Sequence, residues 1–131
     1  MRRLEFDAAH RLVNHEGLCA NLHGHRYAAE IECEAELDSL GRVIDFGIIK
    51  ETIGKFIADS WDHSVLLNNE DEALISLCRE NGWRIYVMPV NPTAENIAAE
   101  LIHVAKNLIA VRVTRIRVWE TPSCYAEVVL R

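Results

Sequence analysis

The chain has no block of lysine and arginine, no CxxC pair and no long hydrophobic run. Fourteen Lys and Arg stand against 20 Asp and Glu, for a formal net charge of −6. An acidic chain without a basic cluster excludes non-specific binding to nucleic acid or to anionic membranes, since both need a positive patch. A small anionic substrate would have to be met by a local group of donors, because the overall field repels it. No stretch approaches the roughly 18 apolar residues of a membrane span, and no basic n-region precedes an apolar h-region. A soluble, cytoplasmic protein is expected, with neither nucleic acid nor membrane as partner. The four cysteines, Cys19, Cys33, Cys78 and Cys124, read as reduced thiols rather than a disulfide framework. Internal repeats, low-complexity tracts and linkers are also missing. Residues 1–131 therefore read as one domain, and a 50% hydrophobic composition is enough for a single core.

Alternation fills the N-terminal quarter. In "RLEFDAAHRL" (3–12), Leu4, Phe6, Ala8, His10 and Leu12 share one parity. In "HGHRYAAEIECEAEL" (23–37), His23, His25, Tyr27, Ala29, Ile31, Cys33, Ala35 and Leu37 share a face, while Arg26 and Glu30, Glu32, Glu34 and Glu36 take the other. Period-2 alternation of this length predicts strands with one face on a core and one in water. If the two strands pair antiparallel across 13–22, His10 falls opposite His23 and His25 projects from the same side two residues on. Asp45 and Thr93 are read as helix N-caps. The buried stripes that follow them are Phe46, Ile49, Ile53, Phe56 and Ile57 in the first helix and Ile97, Leu101, Val104 and Leu108 in the second. Between them lie loop, a short helix (72–81) and a short strand (84–88); two strands, 112–120 and 124–130, close the chain. This order predicts an α+β domain with two main helices packed on one face of an antiparallel sheet.

Three histidines on one apolar face, two of them as H-x-H, point to a metal site. Any one of them alone would read better as a satisfied core histidine. Three protein ligands suit a catalytic zinc centre with an open fourth position, whereas structural zinc prefers four. Cys19 fits either as a fourth, closing ligand or as a free thiol whose pKa is lowered by a nearby cation; its loop position leaves both open. The Asp62-His63 dipeptide offers a carboxylate to orient an imidazole and an imidazole to activate a thiol. Glu120 ends the apolar face of Ile116 and Val118, where an unpaired carboxylate is costly and needs a partner or a ligand. Cys33, Cys78 and Cys124 read as packing or plain structural residues, and His15 and His103 as solvated. Arg115 and Arg117 are placed to meet the glutamate face across strands or across a subunit boundary.

With these residues assembled, the chain resembles the 6-pyruvoyltetrahydropterin synthase / 6-carboxytetrahydropterin synthase family. "FDAAHRL", "CANLHGHRY", "GRVIDFGIIK", "WDHSVLLN", "NPTAEN" and "VWET" occur in the family's order. The resemblance implies the tunnelling fold: a four-stranded antiparallel sheet per subunit, three subunits joined into a barrel, and two trimers stacked as a homohexamer. It implies His10, His23 and His25 as zinc ligands and Cys19 as catalytic base. Asp62 and His63 become partners of that thiol, reaching the site from a neighbouring subunit, and Glu120 the anchor of a pterin ring. The C-x3-H-G-H spacing resembles the queuosine-pathway branch, which turns 7,8-dihydroneopterin triphosphate into 6-carboxytetrahydropterin, acetaldehyde and triphosphate. The alternatives are a 6-pyruvoyltetrahydropterin synthase and a zinc-stabilised module that binds pterin without turnover. Arg11, Arg26, Lys50 and Lys55 are candidates for the triphosphate.

Overall fold

A computed structural model describes residues Met1–Arg131. Six strands and three helices follow in the order β1 (Arg2–His10), β2 (His23–Glu34), α1 (residues 46–60), β3 (Ser64–Asn68), α2 (Glu72–Glu80), β4 (Ile85–Met88), α3 (Ala94–Leu108), β5 (Arg112–Thr121) and β6 (Cys124–Val129). The strands form one sheet in the order β4-β3-β1-β2-β5-β6. β1, β2, β5 and β6 pair antiparallel, as the alternation predicts. No helix is long and apolar enough to cross a membrane.

The sheet differs from the expected four antiparallel strands. β3 joins β1 in parallel and β4 joins β3 in parallel, so it is six-stranded and mixed. The physical reason lies in "SVLLN": Leu66 faces the main core and Leu67 a second cluster with Leu74 and Cys78. A strand buried on both faces shows no alternation, so its sequence does not announce it. The short helix α2 covers that second face.

Asp45 caps α1 by accepting from the Gly47 amide, and Thr93 caps α3 by accepting from the Asn96 amide. Ile49, Ile53 and Ile57 of α1 and Ile97 and Leu101 of α3 pack on the face formed by Phe6, Tyr27, Ala29, Ile31, Ile116 and Val118. Phe46 is exposed, since it precedes the turn of α1 that reaches the sheet. On α3 the buried stripe rotates toward Ala98, Ile102 and Ala105, away from Leu108. Small alanines let the helix lie close to the sheet, which a count of large apolar residues misses. The opposite sheet face is a lattice of ion pairs: Arg115 with Glu32, Arg117 with Glu30 and Glu127, and Arg26 with Glu5 and Asp7.

Candidate functional site

The pairing of β1 with β2 sets His10 opposite His23 and Ala8 opposite His25. Between the two β2 histidines, a Cβ on Gly24 would meet the Ala8 carbonyl oxygen at 3.1 Å. Glycine lets the strands close up just where the imidazoles project from the other face. Ring centroids are 4.7 Å apart for His10 and His23, 5.2 Å for His10 and His25, and 4.9 Å for His23 and His25. One ring nitrogen from each lies within 4.8 Å of the other two.

The far side of two rings is already committed. His10 Nδ1 lies 2.7 Å from the Pro92 carbonyl oxygen and His23 Nδ1 2.6 Å from that of Asn21. A carbonyl only accepts, so each Nδ1 carries the proton and each Nε2 of a neutral ring presents a lone pair. Those two Nε2 atoms face each other at 3.1 Å, and His25 Nε2 is buried without a hydrogen-bond partner. Lone pairs aimed at one point call for a cation. A proton is disfavoured, because burial pushes the His10 and His25 imidazoles below the ordinary 6.5, against the Pro92 carbonyl and then Glu120 at His10 and against Glu120 at His25. The cluster therefore suits a metal ion, with backbone carbonyls fixing the tautomers of His10 and His23 from behind the rings.

Glu120 sits at an irregularity in the β5–β6 pairing: Trp119 opposes Tyr125, Thr121 opposes Cys124, and Glu120 is the extra residue. Such a bulge re-aims a side chain. Here it brings the carboxylate to 3.6 Å from His25 Nε2 and 4.0 Å from His10 Nε2. Burial, with the Glu120 and Cys19 charges, pushes the Tyr27 hydroxyl well above its ordinary value, so it stays protonated beneath the cluster.

Cys19 lies in a short turn of 3-10 helix, Leu18–Ala20, and is half-buried. Its sulfur is not among the clustered ligand atoms. It lines a pocket of about 230 Å³ together with His10, Thr93, Glu95, Glu120 and Cys124. One imidazole of the cluster, the thiol and the carboxylate thus share one cavity. Asp62 and His63 do not line it. His63 lines another depression, with Asp7, Gly24, Arg26 and, from the cluster, His25, and Asp62 is hydrogen-bonded beside it. There the Asp7 amide donates to Asp62 at 3.0 Å, His63 Nδ1 lies 3.0 Å from the second Asp62 oxygen, and the His63 amide donates to the Asp7 carbonyl at 2.7 Å. Burial raises the Asp62 pKa, but the Asp7 amide and His63 outweigh it and hold the carboxyl below its usual range. His63 adopts φ 57° and turns outward, with its side chain 74% exposed.

Sequence reasoning missed the carbonyls of Pro92 and Asn21 and the hydroxyl of Tyr27. Backbone acceptors leave no sequence signal. Of the candidate cations, Arg11 is committed to a fork on the buried Asp71 carboxylate, and Lys55 pairs with Asp59. None of Arg11, Arg26, Lys50 and Lys55 lines the pocket of Cys19.

Fold and site together define an α+β domain whose sheet carries a three-histidine cluster able to hold a metal ion, with His10 at the edge of a small pocket. The family described as 6-pyruvoyl tetrahydropterin synthase matches residues 1–130, and the chain belongs to it. A Rickettsia conorii protein named 6-carboxy-5,6,7,8-tetrahydropterin synthase is 44% identical, over 97% of this chain and 96% of its own. Among solved structures, an uncharacterized protein of Wolinella succinogenes superposes with a TM-score of 0.88 at 20% identity, covering 99% of this chain and 96% of that one. The 6-pyruvoyl tetrahydropterin synthase of Caenorhabditis elegans gives 0.71 at 22% identity, over 99% and 93%. At such identities these two structures speak for the fold.

Proposed function

We propose that the chain is a zinc-dependent 6-carboxy-5,6,7,8-tetrahydropterin synthase. It converts 7,8-dihydroneopterin triphosphate to 6-carboxytetrahydropterin, acetaldehyde and triphosphate, for queuosine and related 7-deazaguanine biosynthesis in the cytoplasm. The observation that carries this reading is the shared pocket, where His10 of the three-imidazole cluster, a thiol outside the cluster and a re-aimed carboxylate line one volume. The name carried by the Rickettsia relative and the C-x3-H-G-H spacing support the carboxy branch.

His10, His23 and His25 would hold the ion and leave a fourth position toward the pocket. Zinc, when bound, supplies Lewis-acid polarisation of the substrate's side-chain oxygens. Cys19 moves protons between the side chain and the ring carbon. Glu120 holds the ring edge, since a carboxylate can accept two parallel N–H bonds from a guanine-like group. Asp62 and His63 belong to the same chemistry as partners of the thiol. They lie outside this chain's own pocket and face outward, which supports their delivery from a second copy. A homohexamer of two stacked trimers would provide that neighbour, and β6 at the sheet's end offers a free edge for it.

The test is product analysis by mass on zinc-loaded protein given 7,8-dihydroneopterin triphosphate. Acetaldehyde with 6-carboxytetrahydropterin is expected. Retention of the whole three-carbon side chain would assign the chain to the 6-pyruvoyl branch. Pterin binding without turnover would leave a binding module, a reading that gives the thiol beside the cluster no purpose.

A further inference from the structure

The loop that carries Cys19 leaves β1 at His10 and closes on itself through the Leu12 amide, which donates to the Cys19 carbonyl at 2.9 Å. One side chain from a distant part of the sequence grips this loop at its base. Asn91 Oδ1 accepts from the Val13 amide at 2.9 Å, and Asn91 Nδ2 donates to the Val13 carbonyl at 3.0 Å. This two-point grip imitates a strand pairing, and only one orientation of the amide satisfies both ends. The same Oδ1 accepts from Asn68 Nδ2 at 3.0 Å, tying the grip to the end of β3. Directly after Val13 the chain turns through Asn14 at φ 63°, a left-handed conformation that asparagine adopts readily.

Asn91 also precedes Pro92, whose carbonyl fixes the His10 ring. Asn91 and Pro92 are neighbours, so one short segment sets both the tilt of a cluster imidazole and the path of the loop bearing the thiol. Its own position is locked by Asn96 Nδ2, which donates to the Asn91 carbonyl at 2.9 Å.

We infer that Asn91 is a positioning residue that holds the Cys19 loop in register with the His10 imidazole. The inference rests on the reading of Cys19 as proton carrier for its kinetic consequence, but the grip itself is independent of any reaction. Removing the amide frees the Val13 N–H and C=O together, at the residue from which the loop turns away. The sulfur then wanders relative to the cluster while the ring nitrogens stay in place. A misplacement of about 1 Å costs on the order of 10²-fold in rate.

The test compares Asn91→Ala with wild type and with Asp45→Ala. The latter removes the α1 cap, remote from the site, and controls for general destabilisation. Zinc-loaded Asn91→Ala should keep its metal and a KM within about threefold of wild type, with kcat lower by about 10²-fold. Cys19 should react several-fold faster with iodoacetamide, and the Val13 amide should exchange with deuterium faster. Asn91→Asp keeps the acceptor for the Val13 amide but cannot donate to the Val13 carbonyl; it should speed Cys19 alkylation and lower kcat in the same direction, with Val13 exchange unchanged, and serves if the alanine variant does not fold. Wild-type alkylation in both variants, or wild-type exchange in Asn91→Ala, would overturn the inference, as would an equal kcat loss in Asp45→Ala. If wild-type protein turns over no pterin, the reading of function fails while alkylation and exchange still judge the grip.

Discussion

His10 Nε2 faces His23 Nε2 at 3.1 Å while the Nδ1 of each ring is held by a backbone carbonyl. Two neutral rings so held repel. A divalent ion between them would convert the repulsion into two bonds and would then count as part of the folded state.

The folded state should therefore gain stability from zinc. At zinc concentrations about 100 times the dissociation constant, the gain is about 2.7 kcal/mol, seen as a rise in Tm of the metal-stripped protein when zinc is restored. His23→Ala should abolish the response. A Tm indifferent to zinc in the wild type would remove the metal from the account.

Glu120 reaches the cluster only because the bulge in β5 turns it there. Glu120→Gln keeps the shape and removes the charge. A charge-assisted pair of hydrogen bonds to a ring edge should then weaken by about 1.5–3 kcal/mol, raising KM by roughly 10- to 10²-fold. Fluorescence titration with a pterin measures the same loss at equilibrium. An unchanged affinity would move the ring anchor elsewhere.

His63 holds φ 57°, which a residue with a Cβ adopts at a cost of about 1–2 kcal/mol. His63→Gly should leave stability unchanged or raise it by up to about 1 kcal/mol in urea unfolding, while turnover is lost. A variant that keeps full activity would show that the outward imidazole serves no chemistry.

Arg11 forks onto Asp71, whose carboxylate also caps α2 by accepting from the Leu74 amide. The guanidinium, then the capped amide, hold the Asp71 carboxyl below its ordinary 3.8 against burial. The unfolded chain takes up the proton first as pH falls. The contribution is thus complete above the ordinary value and lost as pH drops through the depressed one. Arg11→Ala strands a buried carboxylate and should cost about 3 kcal/mol at pH 7. Urea midpoints of the two proteins should converge as the pH is lowered below about 4.

Much of this was legible in the sequence. Parity puts the three histidines on one face, and antiparallel pairing across a connection at 13–22 sets His10 opposite His23, which is the register found. The caps at Asp45 and Thr93 are local signals and appear where the residue types place them. β3 was not legible as part of the sheet: its pairing with β1 is non-local, and burial on both faces erases alternation. Arg11 read as a candidate for the triphosphate because a cation's partner is invisible until the fold supplies Asp71. The separation of His63 from the pocket of Cys19 was likewise closed to periodicity, since the dyad sits in a turn at a left-handed residue.

The central claim is that three imidazoles, and no sulfur, hold the metal beside a free thiol. X-ray absorption at the zinc edge, on wild type and on Cys19→Ala, tests it most directly. The account predicts a shell of nitrogen and oxygen alone, the same in both proteins, with the variant fully loaded and inactive. A sulfur scatterer at about 2.3 Å in the wild type, lost in the variant, would contradict it.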